Sequence, residues 1–236
     1  MDALIAKKRL IKQGTMQQLL TGKTRLPGFS GEWEWTTFGE SFKFLKTGSN
    51  SRSDLSNTYQ VRYIHYGDIH QKWSQFLDCE TALIPGIEHA KVKHLPLVEE
   101  GDLIMADVSE DTEGIGVCIE VQNLGDRKMV SGLHTFLLRA DKEVFADGFK
   151  GYITSIRSVH VALGRVATGI SVYGVSKTNL KDIELPKPPI DEQKAIAGIL
   201  RDMDSEIAAL EQKWDKTKLI KQGMMQELLT GKTRLI

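Results

Sequence analysis

Cysteine is scarce in this chain, and the two present, Cys79 and Cys118, lack C-x-x-C spacing, so neither a disulfide scaffold nor a zinc site is indicated. Net charge is missing as well. Thirty-one Lys and Arg balance thirty-one Asp and Glu, which leaves no general attraction to nucleic acid. No apolar run approaches the ~20 residues of a membrane span, and Met1 to Lys8 has no long apolar core or cleavage signal. A cytoplasmic protein without membrane contact is expected.

Catalytic signatures are absent too. Gly169-Ile170-Ser171-Val172-Tyr173 lacks the closing glycine of a nucleophile elbow, and no Gly-x-Gly-x-x-Gly follows a strand. Gly22-Lys23-Thr24 and Gly231-Lys232-Thr233 lack the first glycine of a phosphate-binding loop and follow a helix, where they read as C-caps. His65 and His70, like His89 and His94, are spaced differently from the His-x3-His of a helical zinc site, and Glu110, Asp111 and Glu113 lack calcium-loop spacing. No cofactor and no metal is expected, and nothing here looks able to perform chemistry alone.

What is present is a repeat. Residues 7–26 reappear as residues 216–235 with sixteen of twenty positions identical, and the sequence between the copies has no such echo. Ile196, Leu200, Met203, Ile207, Leu210 and Trp214 recur at alternating steps of four and three, a coiled-coil seam that Met224 and Leu228 resume and that Thr217 and Lys221 weaken. A helix from Asp191 to Leu229 is roughly 58 Å long, and something must cover its seam. Pro186, Pro188 and Pro189 keep the preceding segment extended, Asp191 is placed to cap the helix, and Gly231 to stop it.

The remainder falls into segments. Residues 1–26 form an N-terminal helical segment, a mostly polar helix over 2–21 that needs another helix of its kind, from this chain or a second one. Residues 27–31 are a Pro/Gly/Ser linker, 32–187 a central domain, and 188–236 the long helix. Within the centre, Thr37–Leu45 and Phe145–Leu163 have helical spacing. Val61–Ile64, Leu103–Met105, Ile115–Val121 and Leu133–Leu138 read as strands, and Leu180–Leu185 as strand or short helix. Strands and helices without regular β-α-β alternation indicate an α+β fold. Charge is segregated along the chain: residues 1–26 carry six bases against one acid, residues 213–236 six against two, and Val98 to Glu113 seven acids and no base.

The loops of the central domain hold the groups that grip phosphates and read base edges. They are Lys43, Lys46, Thr47, Ser49, Asn50, Ser51 and Arg52, then Tyr63, His65 and Tyr66, then Arg165, Thr168 and Ser171. Taken singly, each is an ordinary loop residue.

Three stretches together resemble the specificity subunit of type I restriction-modification enzymes: Gly169 to Ile183, the element Leu185-Pro186-Lys187-Pro188-Pro189-Ile190-Asp191-Glu192-Gln193, and the repeated Met-Gln-x-Leu-Leu-Thr-Gly-Lys-Thr-Arg-Leu. The resemblance implies two target-recognition domains, each followed by a long helix, with the two helices antiparallel as a spacer. This sequence has one such domain and one full helix, preceded by the tail of another, and so looks like a half-subunit. Binding of double-stranded DNA without catalysis follows from the resemblance, as does docking of modification (methyltransferase) and restriction subunits on the helices. A 58 Å helix spans about 17 base pairs, so a homodimer joined through its helices would read a split inverted repeat. The alternatives are a scaffold or regulator that does not bind DNA, and an oligomeric enzyme centred on His65, His70 and Asp68.

Overall fold

A computed structural model describes residues 1–230 of the chain. The stop expected at Gly231 and the second Gly-Lys-Thr lie outside those residues.

Helix α1 spans Asp2–Leu19, and the chain leaves it through Gly22, which adopts φ +68°. A Cβ at Gly22 would stand 3.0 Å from the Trp33 ring, so left-handed backbone and close approach both require glycine there. Beyond the linker, β1 (Glu34–Thr37), a single turn α2 (Phe38–Ser41) and β2 (Phe42–Leu45) replace the helix expected over Thr37–Leu45. A capping box starts that turn, the Glu40 N–H donating to Thr37 Oγ1 at 3.2 Å and the Thr37 N–H to the Glu40 carboxylate at 3.1 Å. Phe42 is already extended, because β2 is drawn into a sheet.

The following elements are β3 (Leu55–Ser56), β4 (Val61–Ile64), α3 (Tyr66–Lys72), β5 (Gln75–Asp78), β6 (Gly86–Ile87), α4 (His89–Val92), β7 (Leu103–Ala106), β8 (Val108–Ser109), β9 (Cys118–Gln122), β10 (Met129–Ser131) and β11 (Thr135–Ala140). Two of these strands start later than periodicity suggests. Gly116 (φ +73°) and His134 (φ +54°) hold left-handed turns just before β9 and β11. The main sheet has the order β2-β11-β7-β9-β5, antiparallel except for the parallel pair β5 and β9, and a second sheet has the order β10-β4-β6-β3.

Phe145–Leu163 is not one helix. A 3-10 stretch over Lys150–Ser155 gives way at extended Ile156 to α5 (Arg157–Val166). The interruption is electrostatic in origin. Lys150 is buried against Asp147 (2.5 Å) and Glu120 (3.4 Å), and Glu120 also accepts N–H groups from Gly148 (2.6 Å) and Gly151 (2.8 Å), which holds the backbone off a helical path. The chain continues through β12 (Tyr173–Gly174), α6 (Lys177–Lys181) and β13 (Glu184–Lys187) to α7 (Ile190–Leu229). The Leu180–Leu185 stretch is thus divided between the end of α6 and the start of β13, and β13 pairs antiparallel with β1. The mixed α/β head carrying one long helix is the α+β arrangement expected.

The N-cap of α7 is Pro189, not Asp191, which sits inside the first turn beside Glu192. Ile196 and Leu200 do not form an open seam. They enter one core with Phe38, Phe42, Phe145, Tyr152, Val159 and Leu185, each such burial worth about 1.5–3 kcal/mol. Met203, Leu210 and Trp214 are half-buried and Ile207 is buried, whereas residues 215–230 are exposed, Met224 and Leu228 among them. Helix α1 lies antiparallel on the first half of α7, with Lys12 reaching Asp204 (2.5 Å), Lys8 reaching Glu206 (2.7 Å) and Arg9 reaching Glu211 (2.6 Å). The partner α1 needs is thus found within its own chain. Among the described residues, no helix is long and apolar enough to cross a membrane.

Candidate nucleic-acid interface

The segment 46–54 is pinned to the ends of β4 and β10. Gly48 donates its N–H to the Ser131 carbonyl (2.9 Å), the Tyr63 hydroxyl donates to the Asn50 carbonyl (2.9 Å), and Lys91 holds Asp54 at 2.6 Å. Lys46, Ser49 and Arg52 remain exposed, while Thr47 and Asn50 are half-buried. Tyr63 departs from the expectation. It is wholly buried, its hydroxyl also accepts the Leu133 N–H at 3.0 Å, and it therefore shapes the loop without reaching a ligand.

Arg52 leads to the next group. Its guanidinium stands 3.3 Å from Asp68 Oδ1, which Lys72 also holds at 2.9 Å, while Asp68 Oδ2 is buried without a hydrogen-bond partner among the described residues. His65 caps α3, its Nδ1 accepting the Gly67 N–H at 3.3 Å. Burial first, and the nearby Arg52 charge second, push the imidazole below the usual histidine range, so it serves as a neutral acceptor. His65 is thus a buried cap and no direct contact residue. Tyr66 emerges at the surface with its ring 4.6 Å from that of His65 and 5.4 Å, edge on, from that of His134.

His134 and Asp107 belong to this surface although their sequence positions gave no hint of it. Pairing of Thr135 with Ala106 between β11 and β7 sets the preceding His134 opposite the following Asp107. His134 Nδ1 comes within 3.2 Å of Asp107 Oδ1, close enough for an ion pair but not aligned as a hydrogen bond. Burial pushes the Asp107 carboxyl up, against the pull of His134. His70 donates from Nε2 to the Val108 carbonyl at 2.9 Å, and Val108 pairs with Gly174 across β8 and β12. The signal that could have joined these residues was strand register, which spacing along the chain does not contain.

The third group is split. Thr168 exchanges N–H···O bonds of 3.0 and 2.8 Å with Gly174, closing a hairpin beside β8 whose exposed tip carries Ile170, Ser171 and Val172. Arg165, at the end of α5, instead lines an open groove of about 1220 Å³ with Leu20, Trp33, Trp35, Arg157 and Val161. Lys43 lies apart on β2 opposite Arg139, an edge position in the main sheet. One continuous tract therefore runs from Lys46 through Arg52, Tyr66, His134 and Asp107 to the Thr168–Gly174 hairpin, with cationic donors, carboxylate acceptors and a half-buried tyrosine ring of the kinds that contact phosphates and base edges. The enzyme alternative fares poorly: Asp68 is buried, and one ring nitrogen each of His65 (Nδ1) and His70 (Nε2) is engaged by backbone. Among the described residues no cluster of three metal-ligating side chains forms.

Residues 149–219, from the end of the head through most of α7, match the family described as type I restriction modification DNA specificity domain. Over 131 residues the chain is 25% identical to the type I restriction enzyme MjaX specificity subunit of Methanocaldococcus jannaschii, covering 55% of this chain and 30% of that protein. Over 62 residues it is 37% identical to the MjaVIII specificity subunit of the same organism, covering 26% of this chain and 15% of that one. The fold is shared with the HsdS subunit from Thermoanaerobacter tengcongensis (TM-score 0.58, 15% identity, 96% of this chain and 51% of the other). It is shared too with the S subunit of the type I restriction-modification system of M. genitalium (TM-score 0.55, 14% identity, 87% and 48%). The chain spans about half the length of each of these structures and less than a third of the two specificity subunits it matches in sequence.

Proposed function

We propose that the chain is the DNA sequence-specificity subunit of a type I restriction-modification system, in which the tract from Lys46 to the Thr168–Gly174 hairpin reads one half of a bipartite double-stranded site. In this reading the chain performs no catalysis. Its helices dock the methyltransferase and restriction subunits, and two copies join through α7 to read an inverted repeat. The observation that carries the proposal is the pairing of a specificity-domain match over 149–219 with a long helix whose last turns are exposed. The tract on the head, whose side chains are of the kinds that contact phosphates and base edges, supports it.

The test is selection from random duplex DNA by the chain mixed with its methyltransferase partner. A split, inverted-repeat site is expected, with two short conserved blocks at constant separation. Selection of one contiguous block, or of no sequence at all, overturns the proposal.

A further inference from the structure

The same set of side chains is buried at one place in this molecule and bare at another. Helix α1 and the turn after it hold α7 through Lys12 on Asp204, Met16, Leu19 and Leu20 packed in the shared core, and Arg25 on Glu192. In the repeat the first four recur without change as Lys221, Met225, Leu228 and Leu229. Leu19 and Leu20 are 6% and 1% exposed, whereas Leu228 and Leu229 are 39% and 83% exposed. An apolar pair this bare on a long helix is a surface awaiting a partner.

We infer that the α7 segment 216–229 and helix α1 are alternative occupants of one docking face, residues 192–207 of α7, and that a second copy of the chain inserts its segment there in exchange for α1. This rests on the homodimer reading above and deepens it. The face is already shown to accept this sequence, because α1 is that sequence and sits on it. Charge complementarity is kept: Lys221 of the second copy meets Asp204, which also accepts the Tyr152 hydroxyl at 3.2 Å. The cost of releasing α1 is offset by an equivalent helix docking, and the exchange is reciprocal about a two-fold axis.

The register has a metric consequence. Lys221 opposite Asp204 puts the axis near Gln212 and Lys213, with the two α7 starts about 68 Å apart along the rod. If α1 stayed in place, only the exposed stretch beyond Trp214 could pair, and the starts would lie about 98 Å apart. The two arrangements differ by about 30 Å, roughly nine base pairs of DNA.

The experiment substitutes the two copies of one lysine in the full chain and follows the dimer dissociation constant by sedimentation equilibrium. Lys12→Glu weakens only the resident helix, and Lys221→Glu only the incoming one. Exchange predicts opposite effects, about 3- to 10-fold tighter for Lys12→Glu and about 3- to 10-fold weaker for Lys221→Glu. Adding Asp204→Lys to Lys221→Glu restores the pair between copies while repelling Lys12, and should recover the dimer even if a single variant folds poorly. A Lys12→Glu dimer that is unchanged or weaker, or a dimer indifferent to Lys221→Glu, overturns the exchange while leaving dimerisation standing. A wild-type chain that stays monomeric at all concentrations overturns both. Small-angle scattering on the dimer gives a second reading, with head separation near the shorter distance expected.

Discussion

Arg25 and Glu192 meet in two N–H···O bonds of 2.7 and 2.6 Å, joining the chain just after α1 to the first turn of α7. Glu192 is 1% exposed and also accepts the Trp33 indole N–H at 2.9 Å, so its charge is buried and fully engaged. Removing one partner of such a pair strands the other, whereas neutralising both does not. Arg25→Ala is therefore expected to lower the melting temperature by several degrees, and Glu192→Gln in the same chain to restore part of it. Thermal unfolding of the two singles and the double checks this. Strictly additive losses would mean that the residues act independently.

The neighbouring Gln193 is a plug for backbone. Its buried side chain accepts the Ala146 N–H at 2.9 Å and donates to the Val144 and Pro188 carbonyls at 3.0 and 2.9 Å, the Val144 bond being partly open to solvent. Gln193→Ala leaves three backbone groups without partners, two of them buried, and a loss of roughly 2–4 kcal/mol follows. Urea unfolding measures it. A loss under about 1 kcal/mol would show that water replaces the amide.

The Pro-Pro-x-x-Glu-Gln element was legible in sequence as the start of a helix, and its deeper role was not. Periodicity shows where apolar side chains recur, so the span of α7 was visible to within a residue. It does not show that Ile196 and Leu200 turn toward the head while Met224 and Leu228 face water, because both pairs occupy the same seam. Long-range pairing was likewise hidden. Asp107 and His134 meet only through the register of β7 and β11, and Lys150 breaks the expected Phe145–Leu163 helix only because Glu120 on β9 reaches it. Loop composition singled out Arg52 and Tyr66, which reach the surface, together with Tyr63, whose hydroxyl is engaged inside the fold, and His65, whose Nδ1 caps a helix.

Stability should carry the mark of His65. The fold holds its imidazole below the histidine range through burial and the Arg52 charge, so protons bind the unfolded chain more readily than the folded one. The contribution is complete above the unfolded value of about 6.5 and is lost as pH falls through it toward the folded one. His65→Asn keeps an acceptor for the Gly67 N–H and removes the titration. Between pH 7.5 and pH 5 the variant is expected to lose less stability than wild type, as read by urea midpoints. Parallel curves would place the pH dependence elsewhere. Asp107, whose carboxyl burial pushes up, works in the opposite direction, so the comparison between the two chains is the informative quantity.

Arg52 and Tyr63 separate a contact from a support. Arg52 is exposed at the head of the tract, whereas the Tyr63 hydroxyl ties the Asn50 carbonyl and the Leu133 N–H inside the fold. If Arg52 grips a phosphate, Arg52→Ala weakens duplex binding at every sequence and lowers the slope of log affinity against log salt by about 0.9. Tyr63→Phe keeps all charges, so the slope stays as it was, while about 1 kcal/mol of folding stability is lost and the loop that presents Arg52 loosens. Lys46→Ala should behave like Arg52→Ala, and the double variant should shift the slope by about twice as much. Fluorescence titration across a salt series gives all four slopes. A slope unmoved by Arg52→Ala and Lys46→Ala, with affinity retained, would take the tract from Lys46 to Arg52 out of the DNA contact and leave the hairpin at Thr168–Gly174 as the surface to test next.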